Sequence, residues 1–214
     1  MINFFVVNGS FQKLLRFFHM RKNIFILPTI LLSSCALAQS PSFDCSKATS
    51  NITTLICASN DLSELDNELA KVYSLAQNKA QNEHPSTLKA EQRGWIKGRD
   101  DCWKSNNKKQ CVFNSYRHRI AELQARYQLI PVTLSSTYFC SGNLKNEVVI
   151  NFFNTLPKIA IAEYADSVSV MYSQQNNENK YLGRNETLLI KDNIALITWG
   201  YSAPQMSCEV KSNG

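Results

Sequence analysis

The chain has 214 residues, room for one domain or two small ones, and its 44% hydrophobic and 19% charged content is ordinary for a globular protein. Its formal charge of +6 overstates its basicity, because Lys13, Arg16, Arg21 and Lys22 all precede residue 39 with no acid among them, leaving 19 basic against 17 acidic residues beyond. That balance, with no basic stripe interleaved with aromatics, argues against a nucleic-acid-binding protein.

Arg21 and Lys22 precede the apolar run IFILPTILLSS, which is short for a bilayer span, and Ala36-Leu37-Ala38 before Gln39 makes a small-x-small cleavage site. These features predict a signal peptide over residues 1–38 and an exported chain; Met20 fits as an alternative start. At the same place Leu32-Ser33-Ser34-Cys35 resembles a bacterial lipobox, in which Cys35 is lipidated and becomes the first mature residue. A soluble periplasmic protein and an outer-membrane lipoprotein both stay open, and a lipid on Cys35 is the one expected tie to a membrane. Six further cysteines follow, at 45, 57, 102, 111, 140 and 208. An even number in an exported chain predicts a disulfide framework. No CxxC pair exists, and neither His84 nor His118 sits at ligand spacing beside a cysteine, so no metal is expected.

Residues 45–129 carry helical spacing. Asp61 with Glu64 makes a capping-box-like start, followed by Leu62, Leu65, Leu69, Val72, Tyr73 and Ala76. Pro85 and Ser86 open a second helix with Leu88, Trp95, Arg99 and Cys102 along one face, and Val112, Tyr116, Ile120, Leu123 and Tyr127 mark a third that Pro131 closes. In an antiparallel hairpin the start of the first helix lies near the end of the second. That favours Cys57–Cys102 and leaves Cys45–Cys111.

From Thr137 the period changes to two. Val148, Ile150 and Phe152 alternate, as do Val168, Val170 and Tyr172, and then Ile194, Leu196 and Thr198, with Gly142, Asn154, Pro157, Asp166 and Asp192-Asn193 as punctuation. The expected fold is α+β as two domains. A disulfide-linked three-helix antiparallel bundle over residues 41–129 precedes a small antiparallel β-barrel over 135–214, closed or nearly so, with Cys140 and Cys208 stapling first strand to last.

Cys45, Ile56-Cys57, Leu62, Leu65-Asp66, Gln92-Arg93 with Trp95, Arg99 with Cys102, Cys111, Tyr116 and Arg119-Ile120 form an ordered set across the helical half. This set resembles the LprI-type lysozyme-inhibitor family. In the second half Tyr138-Phe139-Cys140 and Cys208 resemble the opening and closing elements of the bacterial C-type lysozyme inhibitors, the MliC/PliC family. Tyr181 takes that family's loop tyrosine; after six residues Leu188-Leu189 take its Phe-Trp positions and Lys191 its lysine. Its serine–glycine stretch is replaced by Gln175, Asn176, Asn177, Glu178 and Asn179, and the glycine after the lysine is Asp192.

Together the resemblances imply an inhibitor of host C-type lysozyme that protects bacterial peptidoglycan by inserting barrel loops into the enzyme's cleft. Lysozyme works with two carboxyl groups in a groove shaped for sugars. Tyr181 would offer a hydroxyl and a stacking ring, and Lys191 an ammonium that complements carboxylate. Asn177 and Asn179, with Asn176, can stand in for the lost serine. Considered alone, Tyr181 reads as a strand aromatic, Lys191 as a solvated turn residue, and Trp95 and Trp103 as core or disulfide-packing residues. Lys104, Lys108 and Lys109 form a solvated face or a site for an anionic envelope polymer. No nucleophile elbow, phosphate loop or metal-ligand helix is visible, and adjacent Asp100-Asp101 diverge on a helix, so neither an enzyme nor a cofactor is expected. The rival reading is a non-inhibitory envelope adaptor that binds a protein or wall polymer through the helical half.

Overall fold

The computed structural model describes residues 40–82, 86–143 and 145–210. The expected signal segment with Cys35, and also His84 and Pro85, lie outside the described residues. Among the described residues four α-helices come first: α1 Asn51–Cys57, α2 Asn60–Lys79, α3 Leu88–Asp100 and α4 Lys108–Arg126. The bundle therefore has one helix more than the three read from periodicity. The short α1 was missed because its seven residues hold only two buried positions, Ile52 and Ile56. Its start is fixed by a capping box, with Thr53 N–H donating to Ser50 Oγ and Ser50 N–H donating to Thr53 Oγ1. The box read at Asp61 and Glu64 does not form. Helix α2 starts after Ser59, whose hydroxyl contacts the Asp61 carboxylate instead.

The helical core gathers Ile52 and Ile56 with Leu62, Leu65, Leu69 and Val72 of α2, Leu88 of α3, and Val112, Tyr116, Ile120 and Leu123 of α4. Its disulfides overturn the expected pairing. Cys57 is joined to Cys45 and Cys102 to Cys111, with Cα–Cα distances of 5.9 and 5.7 Å. The pairs Cys57–Cys102 and Cys45–Cys111 do not form. Cys57 ends the separate α1 rather than opening the long helix, so a 3-10 turn at Cys45–Lys47 lies beside it. Cys102 sits in a 3-10 turn after α3 and Cys111 in the first turn of α4, so that corner is closed locally.

Eight strands follow: β1 Leu134–Cys140, β2 Glu147–Phe153, β3 Ile159–Tyr164, β4 Ser167–Gln174, β5 Asn177–Leu182, β6 Thr187–Lys191, β7 Ile194–Thr198 and β8 Gln205–Val210. Each pairs antiparallel with the next, and β8 returns to β1, so the barrel is closed and no strand edge is left over. The β1–β8 seam is short, with register partners from Tyr138↔Val210 to Cys140↔Cys208, and the disulfide joins that last pair.

Val148, Ile150 and Phe152 fill the interior with Ala160, Ala162, Met171, Leu188, Ala195 and Ile197. For β4 and β7 the opposite phase holds. Val168 is 65% exposed and Ile194 40% exposed, because alternation marks two faces without saying which one is inside. Val170 and Tyr172 are covered all the same. Helix α4 lays the small Ala121 and Ala125 against Phe153 and Ile159, with Ile161, Val170 and Tyr172 around them. One apolar cluster thus binds the helical half to the outside of β2–β4. In the β5–β6 connection a Cβ on Gly183 would lie 2.7 Å from Ser169 Oγ and 2.9 Å from Glu186 Oε2, so any larger residue there would have to displace those side chains. Among the described residues no helix is long and apolar enough to cross a membrane.

Candidate functional site

The residues that carry the helical resemblance build an interior rather than a surface. Tyr116 Oη donates to Asp66 Oδ1 at 2.7 Å and accepts from Arg99 Nη1 at 2.9 Å. The Trp95 ring meets Tyr116 edge-on with centroids 5.2 Å apart, and its Nε1–H donates to the Ser115 carbonyl. The Arg99 guanidinium lies 5.4 Å from the Trp95 centroid and is anchored on Asp100. Asp66 also accepts from the Ser42 amide and hydroxyl at 2.7 and 2.5 Å, which docks the segment ahead of α1 onto α2. Burial drives the Tyr116 phenol well above its ordinary pKa of 10, with Asp66 adding to the rise and Arg99 opposing it. Arg119 is buried too, donating to Gln92 and Glu122. Arg93, by contrast, is exposed.

Trp103 departs from the core or disulfide-packing role expected of it. It is 55% exposed on the loop closed by Cys102–Cys111, with Lys104 Nζ 5.6 Å from its ring centroid. The lysines around it are largely spoken for: Lys104 pairs with Asp101 at 2.7 Å and Lys109 with Asp61 at 3.0 Å. The loop is therefore a flat apolar ring on a covalently closed corner rather than a free cationic patch.

On the barrel, Tyr181 and Lys191 are not brought together. Tyr181 is 7% exposed, its ring inside the barrel and edge-on to Phe152 at 5.7 Å. Burial raises its pKa from 10. Its register partner is the fully buried Leu188, and Lys191, three residues further along β6, points to the opposite face and is exposed. Strand alternation makes this unavoidable, because an odd separation on one strand puts two side chains on opposite faces. Asp192 has a φ of 51°, in the left-handed region that favours glycine and that aspartate tolerates. That accounts for the change at the glycine position after the lysine.

Asn177 and Asn179 are exposed on the β4–β5 hairpin, where the ladder jumps from Ser173↔Tyr181 to Gln174↔Asn177 and leaves residues 178–180 bulged away from β4. Successive connections alternate between barrel ends, so this hairpin shares an end with the β2–β3 loop and the Asp192-Asn193 turn. Lys158 Nζ and Glu178 Oε2 join the first two connections at 2.5 Å, which lowers the Glu178 pKa and raises that of Lys158. Between this rim and α4 lies a groove of about 1210 Å³ whose walls include Phe113, Arg117 and His118 of the helix, Asn154–Lys158, Ser173–Glu178 and Lys180. No feature of the sequence announced it, because its walls come from segments tens of residues apart.

His118 stacks on Tyr172 with ring centroids 4.6 Å apart where α4 meets the barrel. The residue as a whole is exposed, but the covered ring face is desolvated enough to lower its pKa from 6.5. A depressed histidine pKa makes the unfolded chain bind more protons than the folded one. Its contribution to stability is complete above 6.5 and is lost as pH falls through the lower folded value. Urea midpoints should decline on acidification from about pH 7 to about pH 5, and His118→Gln should flatten that slope.

Among the described residues no three His, Cys, Asp or Glu side chains converge as a metal site would require. Fold and surface thus define a disulfide-stapled helical module docked on a closed eight-stranded barrel. Residues 45–123, within the helical module, match the model of the family described as Lysozyme inhibitor LprI. The chain is also similar to Lipoprotein LprI of Mycobacterium bovis and to that of Mycobacterium tuberculosis (strain H37Rv). It is 24% identical to each over 169 residues, covering 74% of this chain and 84% of theirs. That span is longer than everything preceding the barrel, so the similarity runs into the strands. No solved structure matches the chain.

Proposed function

We propose that the protein is an exported or envelope-associated inhibitor of lysozyme, C-type in particular, and that its helical half carries the inhibitory surface through Trp103. The observation behind this reading is that the family match falls on the half of the chain where a tryptophan stands exposed on a disulfide-closed loop. A lysozyme cleft is a groove built to receive flat sugar rings beside two carboxyl groups. An indole fits such a subsite, tryptophan is the residue type most enriched among interface anchors, and a covalently closed loop loses little freedom on docking. The Lys104 ammonium beside the ring, though paired with Asp101, keeps N–H donors that a carboxylate could share.

A second reading keeps the barrel as the plug. Asn177, Asn179 and Lys191 are all exposed at one barrel end, an arrangement that favours insertion of those loops into the cleft, with Tyr181 as the packing beneath the hairpin rather than a contact.

Lysis of peptidoglycan by C-type lysozyme, measured with the purified protein present, separates the two. Trp103→Ala should weaken inhibition by at least about tenfold while leaving the melting temperature unchanged, and Asn177→Ala with Lys191→Ala should have little effect. The reverse result moves the surface to the barrel rim. No inhibition by the intact protein ends both readings in favour of an envelope adaptor.

A further inference from the structure

We propose that the groove between α4 and the barrel rim is a binding site for an acidic oligosaccharide. Its volume of about 1210 Å³ exceeds the roughly 300–1,000 Å³ of ordinary small-molecule pockets, so it suits an extended ligand of several rings. Carboxamides dominate its polar wall. Among the described residues the side chains of Asn154, Gln175 and Asn176 make no hydrogen bond, and all three residues are exposed at the groove. An amide presents two N–H donors beside a carbonyl acceptor, which matches neighbouring hydroxyls that each donate and accept.

Charge narrows the class further. Three cations, Arg117, Lys158 and Lys180, face a single anion, Glu178. Lys158 and Glu178 neutralise each other across the mouth of the groove, and Arg117 reaches its nearest acid, Glu68, only at 4.0 Å. Lys180 is exposed and has no ion-pair partner among the described residues. The surplus is positive, so a neutral glycan would leave Lys180 unpaired and Arg117 with only its distant Glu68 partner, whereas carboxylates spaced along the ligand would engage both. Leu156, 64% exposed beside Pro157, gives an apolar ledge for the C–H face of a sugar ring. An extended peptide is a poorer fit. The closed barrel pairs each strand on both sides, which leaves little ladder for a peptide strand to join. The Lys158–Glu178 pair bridges the β2–β3 loop and the β4–β5 hairpin, linking two of the walls.

The inference stands apart from the lysozyme reading, and its test uses no lysozyme. Calorimetric titration of the full chain compares three probes: a hexasaccharide of alternating glucuronate and N-acetylglucosamine, a neutral N-acetylglucosamine hexamer, and short-chain polyphosphate. The acidic hexasaccharide should bind at least about tenfold more tightly than the neutral one. Gln175→Ala with Asn176→Ala should weaken that binding by about tenfold, and these exposed hairpin positions leave the fold intact. Arg117→Gln should erase the preference for the acidic sugar. Two results would overturn the proposal: no binding of the acidic hexasaccharide, or equal binding of polyphosphate with the amide double variant unchanged, which would mean a general cationic surface.

Discussion

Replacing Cys140 and Cys208 together by alanine is expected to lower the unfolding free energy by about 4 kcal/mol, the largest single effect of the three disulfides. The bond closes a loop of 68 residues, against 12 and 9 for the other two, and the entropy it removes from the unfolded chain grows with that length. The helical disulfides are each expected to contribute nearer 3 kcal/mol on the same account. Position adds to length. The seam between β1 and β8 has only three register partners, as few as any in the barrel, and both sulfurs are fully buried at its end. Losing the covalent link there exposes the first and last strands to fraying before any other pair. Equilibrium urea denaturation of the oxidised proteins measures the difference, and a fall in melting temperature on the order of 10 °C should accompany it. A loss under about 1 kcal/mol would mean that the seam's hydrogen bonds and packing hold the barrel closed unaided.

Asp66→Ala should be the most damaging single substitution in the helical half, at about 3–5 kcal/mol. Its carboxylate accepts from the Tyr116 hydroxyl, the Ser42 amide and the Ser42 hydroxyl, and Tyr116 in turn accepts from the buried Arg99. Removing the carboxylate leaves a buried phenol without its acceptor and a guanidinium that has lost the negative end of its relay. A stranded polar group costs more than its hydrogen bond contributed. Tyr116→Phe is expected to fall below this at about 1–3 kcal/mol, since it leaves Asp66 with its Ser42 bonds and Arg99 with Asp100. The two changes should be strongly non-additive, because each breaks the same chain of contacts. Asp66→Ala has a second signature that no general loss of packing gives: the Ser42 amide loses its acceptor on α2, so it should exchange faster while the amides of β1–β8 do not change, Asn67 still holding the Ser40 carbonyl. Equal loss of protection in both halves would show that the network supports the whole fold and not this docking alone.

The sequence by itself determined the division into a helical and a β half and pointed to a barrel closed or nearly so, because the periods 3.6 and 2 are written in the order of apolar residues. It also carried the family resemblance of the helical half, since Cys45, Asp66, Arg99 and Tyr116 keep their order whether or not their contacts are known. Tertiary structure alone decided what those residues do. The motif positions turned inward to form a buried network, while Trp103, expected in the core or against a disulfide, is 55% exposed on the Cys102–Cys111 corner. Pairing of Cys45 with Cys57 depended on α1 being a separate helix, which seven residues with two buried positions could not announce. The phases of β4 and β7 were likewise undetermined, because alternation is symmetric between the two faces of a strand until something packs against one of them, and Tyr181 faced away from Lys191 only once its register put it opposite Leu188. The groove is the extreme case. Its walls come from a helix, a loop and a hairpin that only the docking of α4 on the barrel brings within reach of one ligand.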